Sequence, residues 1–148
     1  GAPSKRLVEV LAAHGFETRL NLSDEFLGSA HLLPLTHTAT RMPADVVIAQ
    51  PGLHSEFLRR CRPVDIGGHV APLISVEDLV VTKVLAARRK DLEDVRGVLL
   101  EQWGSMDFEY VERVLAARMI ALDDPRLAPR FGRVVRQVER LLDQPPRR

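Results

Sequence analysis

Apolar residues recur along this chain with two periods, alternating near the start and helical toward the end. Residues 4–14 place Leu7, Val8, Val10 and Leu11 at helical spacing, with Ser4 as a cap and Gly15 as a stop signal. Residues 16–22 alternate instead. Phe16, Thr18, Leu20 and Leu22 share one face, and Glu17, Arg19 and Asn21 share the other, so a half-buried strand is predicted. Residues 23–30 read as a turn of helix or a loop. Residues 31–38 suggest a further strand, in which Pro34 argues for an edge or a bulge. After a turn at Met42-Pro43, DVVIA over 45–49 is a strong strand ended by Pro51-Gly52. A short helix follows over 53–60. Residues 64–66 and 69–73 then pair across a Gly67-Gly68 hairpin turn.

The richest pattern lies at 75–100. Ser75 reads as a helix cap with Asp78 three residues on. Leu79, Val80, Val84 and Ala87 form one apolar stripe, and Leu92, Val95, Val98 and Leu99 a second. Between them stand Lys83, Arg88, Arg89, Lys90, Asp91 and Asp94. Lys83 and Lys90 are seven apart, so an unbroken helix would put both on one face with Ala87, Asp91 and Asp94. A short break near Arg89 fits equally well. Past Gly104 the chain is helical. Asp107 caps a helix to about 122 with Phe108, Val111, Val114, Leu115 and Met119 inward. Asp123-Asp124-Pro125 ends it and opens the next, with Pro125 in its first turn. That last helix, to about 142, carries Leu127, Phe131, Val134, Val135, Val138, Leu141 and Leu142 on one side. Arg126, Arg130, Arg133, Arg136 and Arg140 stand on the other. Trp103 is expected to anchor the junction between sheet and helices, and residues 145–148 to fray. The order predicts an α+β fold, with a mixed or antiparallel sheet followed by helices that pack on or beside it.

Composition changes this picture in a few places. The chain has 148 residues, 45% of them apolar and 28% charged, which fits one soluble domain with a real core. A net charge of +1 leaves no global basic field, so attraction to nucleic acid must be local. The single Cys61 has no internal disulfide partner and fits a reducing cytoplasm. No apolar run approaches membrane-spanning length. His14, His31, His37, His54 and His69 show no metal-ligand spacing. Lysine is rare: of Lys5, Lys83 and Lys90, two lie in the 75–100 stretch. An ammonium is a compact point charge and a guanidinium a planar fork, so lysine there suits a phosphate-bearing ligand. The plainer alternative is an ion-paired, solvated helix.

The run from Asp45 to Asp94 resembles a known family. An aspartate-led strand (Asp45-Val46-Val47-Ile48) precedes a helix, the glycine-turn hairpin VDIGGHVAPLIS, and then Glu77-Asp78-Leu79, Lys83, Ala86-Ala87-Arg88 and Lys90-Asp91-Leu92-Glu93-Asp94. This resembles the minimal nucleotidyltransferase fold of the polymerase-beta superfamily, nearest to bacterial abortive-infection type nucleotidyltransferase toxins. The resemblance covers residues 4–102. It implies a nucleotidyltransferase-like core over 1–104, incomplete at its N-terminal side, with C-terminal helices over 105–148 packing on it. It also implies transfer of a nucleoside monophosphate from a triphosphate to a hydroxyl of RNA, protein or a small molecule, with magnesium. Asp45 corresponds to the family's third metal-binding, catalytic carboxylate. Lys83 corresponds to its basic residue toward the phosphates, and Lys90, Asp91 and Asp94 to the motif that lines or braces the nucleotide site.

The departure from the family is as informative. The family's glycine turn and paired Asp-x-Asp strand are missing. Gly28-Ser29 has no acidic residue after it until Asp45 and reads as a coincidental dipeptide. The missing piece would lie upstream of Gly1, which implies a shortened chain, a degenerate relative or half of a split protein. One carboxylate cannot hold two metals, so the isolated chain is expected not to catalyse transfer. The alternative is a non-catalytic module of the same shape that binds RNA or a partner protein through the arginine helix. By analogy with the family's toxins that partner would be an antitoxin. An open sheet edge makes a homodimer a further expectation.

Overall fold

The computed structural model describes residues 3–20, 31–49 and 51–143. The predicted positions Asn21 and Leu22, the 23–30 segment with Gly28-Ser29, and the 145–148 tail lie outside these. The described residues form an α+β structure of six helices and five strands: α1 (Pro3–Ala13), β1 (Phe16–Thr18), β2 (Leu32–His37), β3 (Pro43–Val47), α2 (Leu53–Arg60), β4 (Arg62–Ile66), β5 (His69–Leu73), α3 (Val76–Ala86), α4 (Arg89–Gln102), α5 (Phe108–Ala121) and α6 (Leu127–Leu142). All described strand pairings are antiparallel, in sheets of three and two strands. The chain divides into compact units of residues 1–56 and 57–148.

In the first unit the sheet order is β1-β2-β3. Register sets Thr18 opposite Leu35, and Leu33 and Leu35 opposite Val46 and Ala44. Leu33 and Leu35 are fully buried and form the centre of the covered face. On α1, which packs on β1, Leu7, Val8 and Leu11 are half-buried. Val10, expected on the inner side, is exposed, as is Leu20, because β1 ends at Thr18. Pro34 was expected at an edge or a bulge but lies in regular register in the central strand. Its carbonyl accepts from Arg19 N–H, just beyond the end of β1. Residues of an antiparallel strand point N–H and C=O to the same neighbour. The donor that proline lacks therefore faces the place where β1 has already run out. β3 begins two residues earlier than predicted, at Pro43.

In the second unit four helices bury one core. α3 packs on α4, α5 and α6, and α6 packs on α4 and α5. Val84, Leu99, Leu115 and Phe131 are buried, one from each helix. Burying each such side chain is worth about 1.5–3 kcal/mol. The hairpin β4-β5 turns at Gly67 and Gly68, with φ of 62° and 87°. Asp65 accepts there from Gly68 N–H at 2.7 Å. Asp78 is fully buried on α3. It accepts from Tyr110 Oη at 2.6 Å and from Arg60 Nε at 2.9 Å, and Arg60 lies over the Tyr110 ring at 4.0 Å. One carboxylate thus ties the end of α2 and the start of α5 to α3. Three expectations change here. Pro125 precedes α6, and Pro129 is the proline in its first turn, where a backbone N–H has no helical partner anyway. Leu141 and Leu142 are exposed at the helix end. Trp103 packs edge-on against Phe108 at 4.9 Å, among the helices.

Candidate functional site

The 75–100 stretch folds as two helices. Ser75 Oγ accepts from Asp78 N–H at 3.1 Å, as a cap should. α3 stops at Ala87, which takes a left-handed conformation (φ 57°) and donates its N–H to Lys83 carbonyl. Arg88 is extended and α4 starts at Arg89. The break directs the α3 lysine at α4 carboxylates. Lys83 Nζ lies 2.6 Å from Asp94 Oδ2 and 3.4 Å from Asp91 Oδ1. Arg88 grips Asp91 with a two-pronged contact, Nε at 2.6 Å and Nη2 at 3.2 Å. Asp91 is buried, 2% exposed. Lys90 is exposed and takes no part in these bonds, so the break separates it from Lys83.

The electrostatics follow from the pairing. Hydrogen bonding to Asp94, and then to Asp91, raises the Lys83 pKa against the opposing effect of burial. Arg88 is raised by its hydrogen bonds to Asp91. The same bonds, Arg88 first and Lys83 second, lower Asp91. The cluster holds two cations and two carboxylates. An ammonium has three N–H donors. Lys83 directs two of them at Asp91 and Asp94, and its side chain is 30% exposed.

Asp45 stands on the exposed face of the first unit's sheet, opposite Pro34, in an ion pair with Arg19. Arg19 reaches it across the central strand, along the row Arg19, Pro34, Asp45. The two-metal arrangement needs several carboxylates free to ligate. Asp45 is matched by Arg19, and an ammonium sits between Asp91 and Asp94. No group of three or more His, Cys, Asp or Glu that could hold a metal occurs among the described residues. These residues do not fit a two-metal centre.

The five arginines of the α6 face are not one row. Arg126 donates from Nε to Asp124 at 2.9 Å, which raises the arginine's pKa and lowers that of Asp124. Arg130 lies 3.7 Å from the same carboxylate. Arg130 and Arg133 face α4 across a cleft, and Arg140 lines its continuation. Arg136 points elsewhere, with Nη1 3.3 Å from where a side chain on Gly132 would begin. Two participants were not singled out from sequence. Arg88 was only one of a polar set, though a guanidinium three residues before Asp91 at a helix start was the available signal. Arg96 was not noticed, though it lies seven residues after Arg89 on the same face of α4.

The sequence pattern of the family described as "Nucleotidyltransferase of unknown function (DUF6036)" matches residues 24–128, and the chain belongs to that family. The match includes Asp45, Lys83, Lys90, Asp91 and Asp94 and stops at the start of α6. The chain matches no curated protein. No described helix is long and apolar enough to cross a membrane.

Proposed function

We propose that this chain is the nucleotide-phosphate-binding part of a nucleotidyltransferase, with Lys83 and Arg88 addressing the phosphates of a nucleoside triphosphate. The observation that carries this reading is the Lys83 ammonium, steadied by Asp91 and Asp94 yet partly exposed and holding a third donor in reserve. Arg88 is 78% exposed and has donors beyond the two it gives Asp91. Lys90, exposed beside Asp91, adds a mobile charge. Family membership supports the reaction class. In that reaction a hydroxyl oxygen of RNA, protein or a small molecule bonds to the α-phosphorus, the bond to the β-phosphate oxygen breaks, and pyrophosphate leaves. Magnesium would accompany the triphosphate as its counter-ion and would supply charge neutralisation there. No step is assigned to Asp45, whose charge Arg19 matches. The chain by itself is not a competent transferase. A bacterial cytoplasmic setting and a toxin role belong to the same proposal, on the strength of the resemblance alone.

The matched carboxylates favour a second reading, a non-catalytic scaffold of this shape that binds RNA or an antitoxin-like protein through α6. Calorimetric titration with ATP, GTP, CTP and UTP in magnesium tests the first reading. Binding of at least one nucleotide, lost in a folded Lys83→Ala variant, is expected. Absence of binding, or binding indifferent to Lys83, contradicts it.

A further inference from the structure

Between α4 and α6 runs a cleft of about 480 Å³. Arg89 and Arg96 line it from α4, Arg130 and Arg133 from α6, and Leu92 and Val134 contribute apolar surface. Four guanidinium groups therefore meet one carboxylate, Glu93, and that carboxylate is taken by Arg89 Nε at 3.1 Å. At Lys83 and Arg60, by contrast, the cation lies close to an acid. Here Arg96 and Arg133 are exposed on facing helices, and the one acid in the lining, Glu93, is paired with Arg89. Arg130 is only 13% exposed, with Asp124 at 3.7 Å from one end of its fork. Its Nη1 is buried without a hydrogen-bond partner. The cleft does not end there. At Arg96 and Gln137 it meets a second depression of about 330 Å³ that continues to Arg140 and Leu141.

We infer that the α4–α6 cleft binds the phosphodiester backbone of a nucleic acid strand. Guanidinium forks match phosphate oxygens in pairs. From Arg130 to Arg140 the helix rises roughly 15 Å, which suits successive phosphates better than the single charged group of a small anion. A strand also carries one charge per repeat, which suits arginines spaced along both walls. The proposal deepens the second reading above, because it fixes the ligand class and narrows the surface from the whole arginine face to this cleft. Arg126 and Arg136 fall outside it, and Arg89 and Arg96 from α4 enter.

The test is fluorescence anisotropy with a labelled single-stranded RNA and a DNA of the same length, on the full chain at several salt concentrations. An Arg96→Ala, Arg133→Ala double variant is expected to bind roughly tenfold more weakly. Its salt slope should fall by roughly 0.7 for each arginine removed. Arg136→Ala and Lys83→Ala should bind as wild type does, and circular dichroism confirms that each variant is folded. Loss with Arg136→Ala while the double variant binds normally would overturn the cleft but keep the arginine-face reading. No binding to either strand at low salt would overturn both. Displacement by ATP at matched phosphate concentration would reassign the cleft to a free nucleotide. Displacement by polyglutamate at matched charge would reassign it to an acidic protein. Either result overturns the strand.

Discussion

Two charged regions of the helical unit sit a few residues apart and are built on opposite principles. Around Lys83 and Asp91 each cation meets a carboxylate: Lys83 with Asp94 at 2.6 Å and Arg88 with Asp91 at 2.6 Å. Across the α4–α6 cleft four arginines face one glutamate. Asp78, held by Arg60 and Tyr110, belongs with the first kind. Matched charge inside a fold fixes geometry, here the angle at which α4 leaves α3. Unmatched charge fixes little, since like-charged groups on facing helices repel. It is the kind of arrangement a polyanion completes.

The largest way to break this contrast is Asp78→Ala. It leaves Arg60 and Tyr110 without their buried acceptor, and stability should fall by about 3 kcal/mol, read from urea unfolding. Next comes acid. The Asp91 pKa is lowered in the folded chain from its ordinary 3.8 by Arg88 and Lys83. Its contribution is therefore complete above the unfolded value and fades as pH falls through the folded one. An Asp91→Asn variant should lose stability at neutral pH. Below about pH 4 it should show a shallower acid decline than wild type, because that linkage is gone. Thermal midpoints from pH 2 to 7 measure this, and parallel curves would contradict it. The smallest effect is expected in the cleft. Arg133→Ala should change stability by no more than about 0.5 kcal/mol, and Arg130→Met should change it little, because the lost Asp124 ion pair is offset by removal of a buried Nη1 donor with no partner. A large loss in either would show that these arginines hold the fold.

Local signals carried much of this structure into the sequence. Ser75 and Asp107 each cap the helix expected of them, since a cap depends on one side chain and an N–H three residues away. Gly67-Gly68 makes its hairpin for the same local reason. Long-range choices were less legible. Pro34 entered the central strand because β1 stops short beside it, a fact about the neighbour and not about Pro34. The break at Ala87 was one of two open readings, a break near Arg89 or an unbroken helix, because no glycine or proline announces it. It separated Lys83 from Lys90 and put Lys83 against Asp91 and Asp94. The cleft was half visible. The arginines of α6 stood out by their spacing, but Arg96 gains meaning only once α4 packs on α6.

The most direct test of the division between matched and unmatched charge is a crossed titration. The wild type, Lys83→Ala, and the Arg96→Ala, Arg133→Ala double variant would each be titrated with magnesium nucleotide and with single-stranded RNA. The prediction is that Lys83→Ala loses the nucleotide and keeps the RNA, while the arginine variant does the reverse. A single variant that abolishes both, or two variants that alter neither, would show that the two regions do not have separate ligands.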